Sequence, residues 1–308
     1  MSLAVKKEHP FAGQGAVLAA ALLWSTSGLF IKLVDWHPVV ITGTRAFVAA
    51  VFMLAIRFMF PAPKSNARKN FSFPFWVSAF ANAGVVLTFV SANRLTASAN
   101  AVLLQYSSPI WTALLAWWII KERPRWEHWG ALVLVIGGML IFFRDGLASG
   151  SLLGDGLAVS SGMFVATHVV FLRMIKDGNL RDVLLASHII AAVISIPFVF
   201  LYPPELSAAS VGPILFMGIV QQGMASLFFA YGIKRVSAVK AILTCTVEPV
   251  FNPVWVLLII GEQPSALALV GGAIILAAVL SSTLIGKQRE AREAIHATGT
   301  TASNRRLQ

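Results

Sequence analysis

Apolar runs of helix length recur along the whole chain, separated by short polar breaks. Ten such runs can be marked, at about 13–33, 38–60, 73–92, 97–120, 126–143, 154–174, 181–201, 211–231, 237–260 and 265–286. Each lies near the roughly 20 residues that a helix needs to cross a bilayer. Glycine and proline interrupt several of them, which membrane helices tolerate because neighbouring helices satisfy the freed backbone groups. Several breaks are only a few residues long, so the runs they join are expected to be antiparallel neighbours. The pattern predicts an all-α integral membrane protein with ten transmembrane helices. Residues 1–12 precede the first run, which is long enough to be an uncleaved first helix. Residues 287–308 are polar and mixed in charge, and are expected to form a disordered tail.

The pattern also repeats. Ser107-Ser108-Pro109 is followed thirteen residues after its proline by Glu122 and then Pro124. Val247-Glu248-Pro249 is followed at the same spacing by Glu262 and Pro264, an offset of 140 residues at all three points. Each copy ends in an apolar run with a glycine pair, Gly137-Gly138 and Gly271-Gly272. Duplicated halves in a very apolar chain are a common construction of secondary transporters.

Lysine and arginine set the orientation. With the N-terminus in the cytoplasm, 19 of the 24 fall in cytoplasmic segments, as the positive-inside rule requires. Both termini are therefore expected in the cytoplasm. Five runs per copy is an odd number, so the second copy must enter the membrane upside down relative to the first. The loops agree: the first Glu-Arg-Pro loop carries Lys121, Arg123 and Arg125, whereas its counterpart Gly261-Glu262-Gln263-Pro264 carries no Lys or Arg. The expected domains are two inverted five-helix repeats, 13–143 and 152–286.

Composition fits a membrane chain, with 57% hydrophobic and 12% charged residues and a mean hydropathy of +0.77. Soluble domains carry about twice that charged fraction. The net charge of +11 does not point to nucleic acid, because the positive residues sit in short segments between apolar runs. Cys245 is the single cysteine, which excludes an intramolecular disulfide and a Cys-rich metal site. There is no Walker loop, dinucleotide fingerprint or metal-spaced His/Cys cluster. No cofactor, metal or enzymatic activity is expected, and any uphill transport must draw on a gradient or on the solute itself.

Depth along each span, at about 1.5 Å per residue, places several polar residues near the midplane: Glu248, Asn82, Tyr106, Ser107, Ser108, Gln222 and the Trp24-Ser25-Thr26 stretch. Such a belt reads as a cavity lining or as interhelical hydrogen bonding. Glu248 is the sharpest residue, because an ionisable group at the bilayer centre is costly and rarely idle. It reads as a proton carrier or an anchor for a substrate ammonium, against a structural carboxylate paired with Arg45 or hydrogen-bonded to backbone. Arg45 either snorkels outward or holds a carboxylate by a bidentate contact. Pro109 and Pro249 free the carbonyls of Gln105 and Cys245 and are candidate hinges. His168 and His188 read as packing residues or as a proton relay. Glu122 and Glu262 read as structural ends or gate elements. Trp36, Trp76 and Trp126 look like interface anchors, while Trp24 and Trp111 lie deeper, at cavity depth.

At these residues the chain resembles the EamA-like family of the drug/metabolite transporter superfamily. The first copy carries the likeness in Trp24-Ser25, Lys32, Thr44-Arg45, Ser107-Ser108-Pro109, Glu122-Arg123, Trp129-Gly130 and Gly137-Gly138. The second carries it in Gly154-Asp155, Glu248-Pro249, Gly261-Glu262 and Gly271-Gly272. The resemblance implies a ten-helix inverted-repeat bundle in a bacterial-type inner membrane, with relatives that commonly export amino acids and related metabolites. The expected protein is a secondary transporter for a small solute, working by alternating access as a monomer, with possible proton coupling at Glu248 or His168. A lipid flippase or scramblase, or an exporter of drug-like or nucleoside solutes, is the alternative.

Overall fold

The structure is a computed structural model and describes residues 10–60, 71–96, 98–144, 151–175, 180–261 and 265–305. Glu262, Pro264, Lys6, Lys7, Lys64, Arg68, Lys69 and Lys176 lie outside the described residues, as do the side chains of Lys32 and Arg94.

Every regular element among the described residues is helical. In chain order they are α1 (Pro10–Ser25), α2 (Ser27–Lys32), α3 (Pro38–Met59), α4 (Phe73–Leu95), α5 (Ser98–Gln105), α6 (Ser108–Ile119), α7 (Trp126–Phe143) and α8 (Leu152–Met174). There follow α9 (Leu180–Leu201), α10 (Ala208–Phe216), a π-helical stretch Met217–Met224, α11 (Ala225–Ile233), α12 (Ala238–Cys245), α13 (Val247–Ile260) and α14 (Ala266–Arg305). Polar residues set several starts. Ser151, Ser207 and Ser237 cap α8, α10 and α12 by accepting from Gly154, Ser210 and Lys240 N–H groups, which relieves orphan donors of the first turn.

Eight segments are long and apolar enough to cross a membrane. The two other apolar runs are each split into half-helices, α5 with α6 and α12 with α13. These are the repeat-equivalent runs that hold Pro109 and Pro249. Both prolines sit in the first turn of a second half-helix, where a missing N–H breaks no intrahelical bond. The chain therefore stops and restarts at these points instead of bending through a continuous helix. The end of the chain also departs from expectation. Beyond 287 it continues α14 as a helix to Arg305, consistent with the strong helix formers in Glu290-Ala291-Arg292-Glu293-Ala294.

The packing has two-fold exchange character. Helix α4 lies along α8 and α11 along α1, while α3 pairs with α9 and α7 with α14. The glycine pairs that mark the repeat in the sequence meet at the α7–α14 crossing. A Cβ on Gly271 would stand 2.5 Å from the Gly138 carbonyl oxygen and 2.5 Å from the Phe142 nitrogen. Only glycine permits that approach. The outside of the bundle is apolar, with Phe58, Trp118, Val133 and Phe200 well exposed. Buried polar groups gather toward the interior instead, among them Ser25, Thr112, Ser161, His168 and Gln221. This inverts the soluble pattern and suits hydrocarbon as solvent.

One end of the bundle is basic. It carries Arg57, Arg125, Arg173, Arg181, Lys234 and Arg235 at helix ends and turns. There the Glu122 carboxylate accepts from the Arg173 guanidinium and, at 3.1 Å, from the Ala238 N–H. Arg173 also donates to the carbonyls of Ile233 and Val236. One cluster thus ties the turn after α6 to the end of α8 and the start of α12.

Candidate central cavity

A cavity of about 310 Å³ lies where the broken elements converge. That is the lower end of the size range of small-molecule sites. Its lining comes from the α5–α6 break (Gln105, Tyr106, Ser108), the α12–α13 break (Cys245, Glu248) and the π-helical stretch (Gln221, Gln222). Helix α1 adds Trp24, α3 adds Thr42 and Arg45, α4 adds Asn82, and α8 and α9 add His168 and His188. Apolar wall is supplied by Val86, Phe89, Val165 and Phe229.

Local geometry explains these positions. The freed carbonyl of Gln105 points at α8, where a Cβ on Gly162 would stand 2.7 Å from it. It is thus covered by protein and not by lipid. Gln105 Nε2 donates to Ser161 Oγ at 2.8 Å, and Ser161 Oγ donates to the Val85 carbonyl at 3.1 Å. Glu248 stands in the first turn of α13, at the positive end of that half-helix. The Tyr106 hydroxyl is within electrostatic reach of its carboxylate.

Arg45 stays inside the bundle. Its guanidinium donates to Gln221 Oε1 at 3.4 Å, and Gln221 Nε2 donates to the Trp24 carbonyl at 3.3 Å. Arg45 Nε is buried with no hydrogen-bond partner among the described residues. Arg45 and Glu248 lie within each other's electrostatic reach, but among the described residues no ion pair joins them. The structural pairing weighed for Glu248 is therefore not what holds it.

The two histidines are tied back. His168 Nδ1 lies 2.9 Å from the Ser78 carbonyl, which can only accept, so that nitrogen carries the hydrogen. His188 Nε2 lies 3.2 Å from Ser226 Oγ. Among the described residues no group of three His, Cys, Asp or Glu forms a metal site.

The structure brings Trp24, Arg45, Asn82, Tyr106, Ser108, His168, Gln222 and Glu248 around this one cavity. Ser107 and Trp111, at similar depth, do not line it; Trp111 Nε1 donates instead to Ser107 Oγ at 3.1 Å. Depth places a residue along a span but does not say which way it faces. Gln221 was missed. Depth alone marks Gln222, and depth does not separate it from its neighbour. The π-helical register widens the turn and turns both glutamines to the cavity. Gly218 and Gly223, flanking the pair, were the available signal.

A smaller cavity of about 140 Å³ shares Thr42, Val86, Val90 and Ala191 with the central one and leads away from the basic end. It reaches His37 and Tyr202, whose rings stack at 4.1 Å between centroids and 8° between planes.

A polytopic helical protein with two-fold packing, two helices broken at mid-span and a solute-sized mixed cavity at the breaks belongs to the class of membrane carriers. The EamA-like transporter family matches residues 11–144 and again 152–284, and the chain belongs to that family. It is 25% identical over 291 residues to the uncharacterized transporter YwfM of Bacillus subtilis, covering 91% of this chain and 96% of that protein. It is 27% identical over 188 residues to the pseudopaline exporter CntI of Pseudomonas aeruginosa, covering 59% of this chain and 65% of that one. It is also 28% identical over 202 residues to human solute carrier family 35 member G1, spanning about half of that protein (53%). A solved crystal structure shares the fold with a TM-score of 0.77, over 90% of this chain and 98% of its own, at 19% identity.

Proposed function

We propose that this transporter is a secondary carrier that exports amino acids or related small metabolites across a bacterial-type inner membrane. The observation that carries the reading is the presence of Glu248 and Arg45 on one cavity, each in the other's electrostatic reach but not paired. A solute with an ammonium and a carboxylate meets an opposite charge at each end. Its carboxylate supplies the partner that Arg45 Nε lacks. Trp24, Tyr106, Asn82, Gln222 and Ser108 complete the lining, and the apolar wall takes the rest of the solute. The exporter named among the bacterial relatives supports the direction.

In this reading each broken run crosses the membrane once. That gives ten spans in two repeats of opposite orientation, 13–143 and 152–286, with both termini in the cytoplasm. The basic end then faces the cytoplasm, as the charge asymmetry requires. Access alternates between two seals. The Glu122–Arg173 cluster closes the cytoplasmic end, and the His37–Tyr202 stack closes the other. Pro109 and Pro249, at the two breaks, act as hinges. Glu248, with Tyr106 and His168 nearby on the cavity wall, carries the coupled proton, and the protein works as a monomer.

Transport by proteoliposomes tests this reading. Arg45→Gln should weaken transport of an amino acid by about ten- to a hundredfold, the value of one charge-assisted hydrogen bond, and have little effect on the corresponding amine without its carboxyl group. Glu248→Gln should abolish the dependence on a pH gradient while the protein remains folded. Equal transport of the amino acid and the amine by the unmodified protein would refute the zwitterion reading.

A further inference from the structure

One wall of the central cavity is the seam between α4 and α8, and the proposed contacts at Arg45 and Glu248 make no use of it. The two helices run antiparallel: Ser78 Oγ donates to the His168 carbonyl, and further along α4 the Val85 carbonyl accepts from Ser161, which precedes His168 on α8. From His168 to Ser161 is about 10 Å at the helical rise. Asn82 stands one turn beyond Ser78 on the same face of α4, and Gln105 is brought to the far end of the seam by its bond to Ser161. His168, Asn82 and Gln105 all line the cavity. Each offers polar atoms that the fold leaves open. His168 Nδ1 donates to the Ser78 carbonyl, so Nε2 of the neutral ring bears a lone pair. Ser161 Oγ commits its hydrogen to the Val85 carbonyl at 3.1 Å and therefore accepts from Gln105 Nε2. That bond orients the amide and leaves Gln105 Oε1 as an acceptor. Among the described residues, His168 Nε2, Gln105 Oε1 and the Asn82 amide have no hydrogen-bond partner. Buried polar groups of a membrane bundle normally find partners within it. Three open ones on a single wall point to a ligand that supplies them.

We infer that this wall reads the side chain of the solute and selects amino acids that end in a carboxamide or urea. The inference rests on the zwitterion reading above, which engages Arg45 and Glu248 with the two charged ends of the solute. An amide tip at Asn82 exchanges one N–H and one carbonyl with that side chain, and its second N–H serves the acceptor at His168 Nε2. Val165 and Val86, one turn from His168 and Asn82 on their helices, line the cavity beside them and suit the methylenes of such a side chain. An apolar tip leaves Asn82 without a partner in a buried site, which is how hydrogen-bonding sites reject apolar isosteres. A carboxylate tip brings acceptors only, against the lone pairs of His168 and Gln105.

The test is counterflow into proteoliposomes of the full chain with labelled glutamine, its apolar isostere homoleucine, and glutamate, for the parent and for Asn82→Leu. Glutamine should exchange with an apparent affinity about ten- to a hundredfold better than homoleucine, and ahead of glutamate. In Asn82→Leu the ratio of glutamine to homoleucine should fall about tenfold. Its melting temperature should be retained, because Asn82 makes no hydrogen bond among the described residues. A purely structural role for Asn82 would depress both solutes together and leave their ratio unchanged. Homoleucine exchanged by the parent as well as glutamine, glutamate exchanged as well as glutamine, or an unchanged ratio in Asn82→Leu would each overturn the inference and leave the carrier reading in place. So would failure of all three solutes with saturable exchange of another amino acid. Failure of every amino acid refutes the zwitterion reading itself, and the selectivity with it.

Discussion

Replacing Gly271 by alanine should destabilise the bundle, although alanine is the better helix former. The new Cβ would meet the Gly138 carbonyl oxygen and the Phe142 nitrogen at 2.5 Å each, and the Phe142 Cα at 2.7 Å. All three are backbone atoms, so no rotamer change relieves them. Ordinary contact needs about 1 Å more, and α7 and α14 must separate along a crossing that joins the two repeats. Overpacking of this kind costs about 1–3 kcal/mol, against about 1 kcal/mol of helix propensity gained. The neighbouring glycines give the control. At Gly137 an added Cβ meets nothing within 4 Å, so Gly137→Ala keeps the propensity gain and incurs no clash. Thermal unfolding in detergent, followed by monodisperse elution after heating, should place Gly271→Ala several degrees below the parent and Gly137→Ala at or above it. Equal melting of the two variants would refute the packing argument, because both lose a glycine from a marked pair and differ only in what the methyl group meets.

Other outcomes follow from single contacts. Glu122→Gln removes the charge that holds Arg173 and weakens the tie to the Ala238 N–H, a loss of about 1–3 kcal/mol. Cys245 is the only cysteine and lines the cavity, so its alkylation should quicken from the basic end in oriented vesicles, and an unchanged rate counts against a seal there. Gln221→Leu should cost more stability than Gln222→Leu, because Gln221 links Arg45 to the Trp24 carbonyl; the reverse order in melting would contradict the π-helical register. Trp255→Phe removes the 2.7 Å bond to Ser25 and should lower stability by about 1 kcal/mol. A larger loss would mean that the indole carries packing beyond that bond.

The features legible in the sequence were those in which backbone chemistry leaves a residue-level trace. Proline cannot donate, so Pro109 and Pro249 marked two of the places where a span restarts. The glycine pairs marked the repeat; that Gly138 and Gly271, 133 residues apart in the chain, meet at a crossing is visible only in the structure. A carboxylate at mid-span is costly, so Glu248 stood out and the structure places it on the cavity. What depth could not supply was facing. Trp24 and Trp111 are equally deep, yet one lines the cavity and the other bonds to Ser107. Gln221 stands at the depth of Gln222 and was passed over, because depth does not report which neighbours line a cavity. The polar end from 287 read as unstructured by charge and composition, while its local spacing of Glu, Arg and Ala continued a helix. The partner of Glu122 was the least legible, since the Glu122–Arg173 contact joins residues 51 apart in sequence without any local signature.

The central claim is that a solute with both charges is carried through the cavity between Arg45 and Glu248. Counterflow tests it most directly: proteoliposomes loaded with unlabelled amino acids and diluted into labelled solute, with the parent, Arg45→Gln and Glu248→Gln compared. Saturable exchange by the parent is expected for at least one class of amino acids or amino-acid-derived metabolites, lost or strongly weakened in both variants. Saturable exchange that is the same in all three proteins would contradict it.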